Sequence, residues 1–110
     1  MPPVIKPDAP GARERYGDTR TQAVGVLKSI QSQLAQHDAS LKDVVYLRAY
    51  LVADPAKEHT IDVAGWNAAY GEMFNTAANR TKTARSTVGV SALVNPDWLI
   101  EIEAFAVLPR

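Results

Sequence analysis

Three side chains near the C-terminal end have the types and spacing to bind and hydrolyse a small acid: Arg85, Glu101 and Glu103. A guanidinium can hold a substrate carboxylate through two parallel hydrogen bonds, which a lysine does less well. A nearby glutamate could activate a bound water or move a proton, and the two glutamates stand about 7 Å apart on one face of a strand. The same residues could form a purely structural ion pair between neighbouring strands, and their spacing alone favours that interpretation.

Two further polar residues are candidates for a site. Asn67 lies inside a predicted helix beside Trp66. Because asparagine is a mediocre helix former, its place there indicates either a specific hydrogen bond or an exposed polar position. Tyr16 precedes the first helix, where it could close over a pocket or pack as a hydrophobic staple. His37 and His59 have no partner at the spacing of a nucleophile–base pair or a metal site, so we interpret both as surface residues.

Two helices must position these residues. Asp18 can cap a first helix over residues 19–37, in which apolar side chains recur every three or four positions. Thr60 or Asp62 can cap a second helix that ends near Thr76. The core stripe of the second helix is predicted to consist of Val63, Trp66, Tyr70, Met73 and Phe74.

Three runs rich in β-branched and aromatic residues predict strands over residues 44–52, 81–90 and 98–107. The connection between the last two contains a strong turn signal at residues 95–97. We therefore expect these two strands to pair as a hairpin. That pairing would place Arg85 on the strand next to both glutamates.

The alternation of side chains predicts which face of each strand is buried. The predicted inner residues are Val45, Leu47, Ala49 and Leu51 on the first strand and Ile100, Ile102, Ala104 and Ala106 on the last. The other face of the last strand carries Glu101 and Glu103 among Leu99, Phe105 and Val107. Such a surface is too apolar for open water and too charged for a core. It predicts a subunit interface that contains a polar site.

The composition limits the classes of function. The 110 residues are 46% hydrophobic and 22% charged, and 12 basic residues balance 12 acidic ones. A formal net charge of zero leaves no surplus of cations for nucleic acid. With no cysteine and two histidines, no metal site is expected. Since the chain has neither a membrane-spanning apolar run nor a signal peptide, we expect a cytoplasmic location and no membrane partner.

The order helix, strand, helix, strand, strand predicts an α+β fold with two helices packed on one face of a small mixed sheet. We expect one domain over residues 1–110, beginning with an irregular arm over residues 1–17 that holds four of the seven prolines. Three strands barely cover two helices. Self-association that buries the other sheet face is therefore expected.

Several segments follow one another in the order of a known family. They are Thr21–Ala23 with Leu27–Ile30, Leu41–Val45 with Tyr50 and Leu51, Trp66–Tyr70 with Met73 and Phe74, Ala84–Val90 with Leu93, and Ile100–Ala106. The stretch from Ala84 to Val90, followed by Ile-Glu-Ile-Glu-Ala, is the specific part. Over residues 16–109 the chain resembles the reactive intermediate deaminase family, called Rid or YjgF.

The resemblance implies a chorismate-mutase-like fold and a homotrimer with a site in each cleft between subunits. Members of the deaminase branch hydrolyse enamines and imines such as 2-aminoacrylate to 2-keto acids and ammonia, without metal or cofactor. By position, Arg85 would grip the substrate carboxylate and Glu101 would orient or activate the attacking water. The further substrate-binding residues are predicted to be Asn67, Thr87 and Tyr16. Thr87 stands where many relatives carry cysteine.

Two departures from the family pattern keep alternatives open. Relatives usually begin with two further strands, including a Ser-Gly element that lines the cleft, and this chain starts after them. The turn at residues 95–98 is one residue longer than the pattern, so Glu103 remains an alternative to Glu101. The leading hypothesis is a cofactor-free enamine or imine deaminase, a hydrolase acting on a small carboxylate. The alternative is a non-catalytic trimer that binds a small carboxylate or a protein partner, and RNA cleavage is disfavoured by the neutral charge.

Overall fold

The computed structural model describes residues 16–108. Its main elements are the helix α1 (Thr19–Ala35), the strand β1 (Val44–Leu51), the helix α2 (Val63–Met73), and the strands β2 (Ala84–Gly89) and β3 (Ile100–Ala106). Both helices contribute to one core against a single sheet face, which confirms the predicted α+β layers. Of the arm predicted over residues 1–17, residues 1–15 lie outside the described part of the chain. Within the described range, no helix has the length and apolar character needed to cross a membrane.

The sheet has the order β2-β1-β3, so β1 is its central strand. β1 runs parallel to β2 and antiparallel to β3. The predicted hairpin between the last two strands is therefore wrong. Parallel strands need a crossover, which α2 supplies, and the connection over residues 90–99 then carries the chain to the far side of β1. The turn signal does form a turn, closed by a hydrogen bond from Trp98 N to Asn95 O at 3.1 Å, but inside this connection.

The buried face of the sheet follows the predicted alternation except at the start of β1. Its fully buried residues are Leu47, Ala49 and Leu51 on β1 and Ile100 on β3. Val45, expected on this face, is 53% exposed, whereas Val44 is 1% exposed. A β-bulge between Val44 and Tyr46 causes the difference. One extra residue on the bulged strand reverses the alternation at that point.

Both helices end earlier than the sequence predicted. α1 stops at Ala35, and the residues after it form a turn in which Asp38 has a φ of 56°. α2 stops at Met73 rather than near Thr76, because Phe74 is extended and Asn75 adopts a φ of 56°. Asparagine and aspartate tolerate this left-handed conformation better than most residues. The early end of α2 turns Phe74 into the core, where it is fully buried.

A buried glutamine ties α1 to the start of β3. Gln22 is 1% exposed. Its side-chain oxygen accepts a hydrogen bond from Leu99 N at 2.8 Å, and its amide nitrogen donates to Gly17 O at 3.1 Å. Leu99 is itself buried, and a buried N–H without a partner is costly. The side chain of Gln22 therefore helps to fix where β3 begins.

Replacing Gln22 with leucine should lower the free energy of unfolding by about 1–3 kcal/mol, because the Leu99 N–H loses its acceptor. Gln31→Leu is the matched control, since it makes the same chemical change at an exposed position of α1 and should stay within about 0.5 kcal/mol of wild type. Urea unfolding followed by circular dichroism measures both. Equal destabilisation of the two variants would contradict the assigned role of Gln22.

Candidate functional site

The candidate site is built around the guanidinium of Arg85 on the edge strand β2. Arg85 pairs with Leu47 in the sheet, so its side chain leaves on the helix-covered face. Its Nη1 donates to Asn67 Oδ1 at 3.1 Å. Its Cζ lies 3.8 Å from the centre of the Tyr70 ring and 5.7 Å from that of Trp66. Within residues 16–108 no carboxylate lies at ion-pair distance from this exposed side chain. Most of its N–H donors are therefore open to a ligand.

The Tyr70 ring that carries the guanidinium is itself held in place. Its hydroxyl accepts a hydrogen bond from Thr83 N at 2.8 Å and donates to Thr83 O at 3.3 Å. Its ring stacks on the buried ring of Phe74, with centroids 4.9 Å apart and planes at 9°. A cation over an aromatic face is attracted by the ring quadrupole. The sequence predicted Tyr70 only as core, because core and site residues on one helix stripe share the same spacing.

The first turn of α2 fixes the helix that carries Asn67 and Tyr70. Asp62 caps it by accepting from Gly65 N at 2.9 Å, and also pairs with Lys57 Nζ at 2.6 Å. The ion pair with Lys57, together with the Gly65 N–H, lowers the pKa of Asp62 below its usual value. A Cβ at position 65 would collide with the carboxylate of Asp62, which accounts for the glycine there.

Thr87 stands two residues after Arg85 on β2, on the same face of the strand. The indole Nε1 of the buried Trp66 donates to Thr87 Oγ1 at 3.1 Å. Of the predicted site residues, the structure thus brings Arg85, Asn67 and Thr87 together along α2 and β2. Trp66, which the sequence indicated only as core, also forms part of the site through this hydrogen bond.

The two glutamates lie elsewhere. Glu101 is opposite Tyr50 and Glu103 is opposite Arg48 in the β1–β3 ladder. Both glutamate side chains therefore project from the sheet face that points away from the helices, which we call the open face. Glu103 accepts a hydrogen bond from the Tyr50 hydroxyl, and its Oε1 lies 3.7 Å from Nη1 of Arg48. The sequence suggested a structural ion pair between Arg85 and a glutamate. In the structure it is Arg48 that pairs with Glu103.

This placement corrects the expected neighbourhood of Arg85 and Glu101. The two residues are not on adjacent strands, because β1 lies between β2 and β3, and they leave opposite faces of the sheet. Glu103 is engaged by Arg48 and Tyr50, whereas Glu101 makes no hydrogen bond or ion pair with residues 16–108. The free carboxylate favours Glu101 over Glu103 as the acid that could act on a ligand.

Tyr16 lies at the start of the described chain. Its hydroxyl accepts a hydrogen bond from Asn95 Nδ2 at 3.3 Å, and the residue is partly buried. This bond attaches Tyr16 to the connection between β2 and β3 rather than to Arg85. Its predicted role in substrate binding stays a prediction.

The chemistry available at Arg85 is the binding of an anion. The guanidinium and the Thr87 hydroxyl supply hydrogen-bond donors, and the side-chain oxygen of Asn67 is already used by Arg85. In the described part of the chain no three His, Cys, Asp or Glu side chains are grouped as metal ligands would be. A positively charged, donor-rich edge beside aromatic rings fits a small carboxylate.

Comparisons with known proteins agree with this architecture. The profile of the family described as Endoribonuclease L-PSP matches residues 10–108. A RutC family protein of Pyrococcus abyssi is 38% identical over 90 residues, which cover 82% of this chain and 62% of that protein. The structure of YyfB from Yersinia pestis, a member of the Rid family, has a TM-score of 0.67 at 36% identity, over 83% of this chain and 63% of that one.

The structure of Escherichia coli TdcF with bound serine is also similar, with a TM-score of 0.68 at 27% identity, over 84% of this chain and 66% of that one. The chain belongs to the Rid (YjgF) family, and its helices and mixed sheet have the chorismate-mutase-like fold. It spans about three fifths of the length of the curated relative, 62%.

The cap of α2 should give stability a specific pH dependence. Folding lowers the pKa of Asp62. The contribution of Asp62 to the free energy of unfolding is therefore present above the ordinary aspartate pKa of about 4, and it is lost as the pH falls through the pKa of Asp62 in the folded protein. Asp62→Asn should therefore be less stable than wild type at pH 7 and should lose less stability on acidification. Urea unfolding between pH 7 and pH 2.5 tests this.

Asp38→Asn is the matched control, because the side chain of Asp38 is exposed and makes no hydrogen bond or ion pair within the described residues. Its pH profile should follow that of wild type. A wild-type profile that parallels the Asp62→Asn profile would contradict the account.

Proposed function

We propose that this protein hydrolyses reactive enamines and imines of the 2-aminoacrylate type to 2-keto acids and ammonia, without a cofactor. The observation that carries the proposal is the guanidinium of Arg85, held by Asn67 and Tyr70 and not neutralised by any carboxylate within residues 16–108. A charge fixed in this way needs no reorganisation when it receives an anion. Family membership and the serine bound by the relative TdcF support a small carboxylate as the ligand.

The proposed reaction starts from a 2-imino acid, the tautomer that forms from 2-aminoacrylate when its terminal carbon gains a proton and its nitrogen loses one. Arg85 binds the carboxylate and thereby orients carbon 2. Water adds to carbon 2 while the electron pair of the C=N bond moves to nitrogen. Glu101 accepts a proton from the water and returns it to nitrogen. Loss of ammonia from the resulting carbinolamine leaves the 2-keto acid.

The opposite placement of Arg85 and Glu101 supports a site shared between copies of the chain. The body of the sheet separates the two side chains within one chain. A second copy whose open face meets the helix side of β2 can supply the missing carboxylate. The open face also carries Val88 and Phe105, which are 43% and 44% exposed, and large apolar side chains of this kind are typical of interfaces. We therefore propose that copies of the chain share the site. The resemblance to the Rid family favours a homotrimer with three such sites, and the expected cytoplasmic location stays a proposal.

The alternative is a non-catalytic trimer that binds a small carboxylate or a protein partner. It is supported by the absence of any carboxylate within ion-pair distance of Arg85 in the described chain, since Arg85 alone can bind an anion but cannot activate water. Calorimetry with 2-ketobutyrate, combined with an imine-decay assay, distinguishes the two. Binding without turnover would favour the alternative, whereas binding with turnover would favour the deaminase.

Replacing Arg85 with alanine should slow the hydrolysis of freshly generated 2-iminopropionate by about 30- to 1000-fold, equivalent to the loss of about 2–4 kcal/mol of binding in the transition state. Arg80→Ala is the matched control, because Arg80 is exposed and makes no ion pair or side-chain hydrogen bond with residues 16–108. Its rate should stay within about twofold of wild type. Imine decay in wild type no faster than in Arg85→Ala would overturn the proposal.

Replacing each glutamate with glutamine should separate their roles. Glu101→Gln should lower kcat by about 100-fold or more, because it removes the proton acceptor, while the affinity for 2-ketobutyrate changes little. Glu103→Gln should keep most of the activity, since Glu103 is engaged with Arg48 and Tyr50 on the open face. The reverse pattern, with Glu103→Gln inactive and Glu101→Gln active, would assign the acid to Glu103.

A further inference from the structure

The last residue of β2, Gly89, continues a row of positions that begins with Arg85. Arg85, Thr87 and Gly89 stand at alternate positions of β2, and their partners on β1 are all fully buried beneath the helices. The three positions therefore lie on the helix-covered face of this edge strand. Arg85 and Gly89 are about 13 Å apart along the strand. A ligand that is held by Arg85 and extends along β2 comes toward Gly89.

The side chain of Ile61 covers the backbone of Gly89. A Cβ at position 89 would lie 2.5 Å from Cδ1 and 3.9 Å from Cγ1 of Ile61, and apart from the chain neighbours of Gly89 no other described residue has an atom within 4 Å of that point. Ile61 can reach over the strand because position 89 carries no side chain. Since Ile61 remains 38% exposed, the end of β2 presents an apolar surface to the solvent.

The start of α2 holds Ile61 in this position. Ile61 directly precedes Asp62, whose side chain caps the helix by accepting a hydrogen bond from Gly65 N. The residue before the cap and the fourth residue of the helix, here Ile61 and Trp66, are the two positions of a hydrophobic staple. Trp66 is fully buried, and its ring centre lies 5.7 Å from Cζ of Arg85. The helix start thus connects Ile61 to the wall of the Arg85 site.

The edge of β2 therefore changes from charged to apolar over five residues. A carboxylate held by Arg85 lies at one end of this edge, and Ile61 lies at the other. Sites for small molecules commonly combine a few polar anchors with an apolar lining. Each methylene that a ligand removes fully from water strengthens its binding by about fourfold. An apolar chain on the ligand gains this contribution at Ile61, whereas a charged group there does not.

We infer that Ile61 determines the substrate specificity of the Arg85 site by contacting the carbon chain of the bound acid. This inference rests on the proposed function and deepens it. The preferred substrates are 2-imino acids with an unbranched apolar side chain of four or more carbons, such as 2-iminohexanoate. The three-carbon acid that forms from 2-aminoacrylate is a weaker substrate, because its chain ends before Ile61. An acid with a second carboxylate at its far end is disfavoured, because the side chain of Ile61 offers no hydrogen-bond donor.

The binding of 2-keto acids, the products of the proposed reaction, tests this inference without turnover. 2-Ketohexanoate carries two more methylenes than 2-ketobutyrate, and 2-ketoglutarate carries a second carboxylate at its far end. In calorimetry, wild type should bind 2-ketohexanoate about 3- to 10-fold more tightly than 2-ketobutyrate, because the two methylenes become partly buried. It should bind 2-ketoglutarate no more tightly than 2-ketobutyrate. Arg85→Ala should weaken the binding of all three acids.

Variants of Ile61 assign the preference to this side chain. Ile61→Ala should reduce the preference for 2-ketohexanoate to less than about twofold and leave the affinity for 2-ketobutyrate near that of wild type. Ile61→Leu should keep most of the preference, because it keeps the apolar volume. Val94→Ala is the matched control, since Val94 is 96% exposed in the connection after β2, and it should bind all three acids as wild type does.

Turnover provides a measurement that a merely structural role of Ile61 would not change. In wild type, kcat/KM for freshly generated 2-iminohexanoate should exceed that for 2-iminopropionate by about 3- to 10-fold. Ile61→Ala should bring this ratio close to one, while kcat/KM for 2-iminopropionate stays within about twofold of wild type. If Ile61 only stabilised the start of α2, both rates would fall together and their ratio would stay as in wild type.

The outcomes separate the inference from the proposed function. If wild type binds 2-ketobutyrate and hydrolyses 2-iminopropionate but has no preference for the longer acids, the inference is wrong and the deaminase proposal stands. The same holds if Ile61→Ala keeps the wild-type preference. If wild type neither binds these acids nor hydrolyses either imine, the proposed function fails and the inference fails with it.

Discussion

The feature on which the site depends is a positive charge held at the edge of the sheet without a negative partner in the described chain. An aromatic face and an amide oxygen, from Tyr70 and Asn67, hold the guanidinium of Arg85. A cation–π contact and one hydrogen bond orient this group. An incoming anion then has no negative partner to displace, as it would have if a salt bridge held the guanidinium. A carboxylate partner would have fixed Arg85 equally well and would have closed the site to anions.

The order of the strands determines what one chain can and cannot do. Because β1 lies between β2 and β3, Arg85 and Glu101 leave opposite faces of the sheet. Burial divides the same sheet: the helix-covered face forms the core, while the open face keeps charged and large apolar groups in solvent. The apolar groups, the free carboxylate and the unneutralised arginine are all accounted for if copies of the chain meet across this sheet.

Much of the fold could be predicted from local patterns in the sequence, and most of the errors concern contacts between distant segments. Asp18 caps α1 as expected, and Asp62, one of two candidates with Thr60, caps α2. The alternation of apolar residues also predicted the face of β3 that packs against the core. The turn signal at residues 95–97 could not reveal which strand β3 joins, because a turn specifies a local reversal and not a partner. The bulge that exposes Val45 left no local signal, and Tyr70 could not be separated from core residues of the same helical stripe.

The most direct measurement is a complementation assay in mixed oligomers. Arg85→Ala and Glu101→Gln are each expected to be inactive, so the two variants are unfolded together, refolded as a mixture and assayed for imine hydrolysis. If each site takes its arginine from one chain and its glutamate from another, random mixing in a cyclic assembly restores about a quarter of the wild-type sites. Recovery of that activity is the result we predict, and mixed oligomers that form but stay inactive would contradict a site shared between chains.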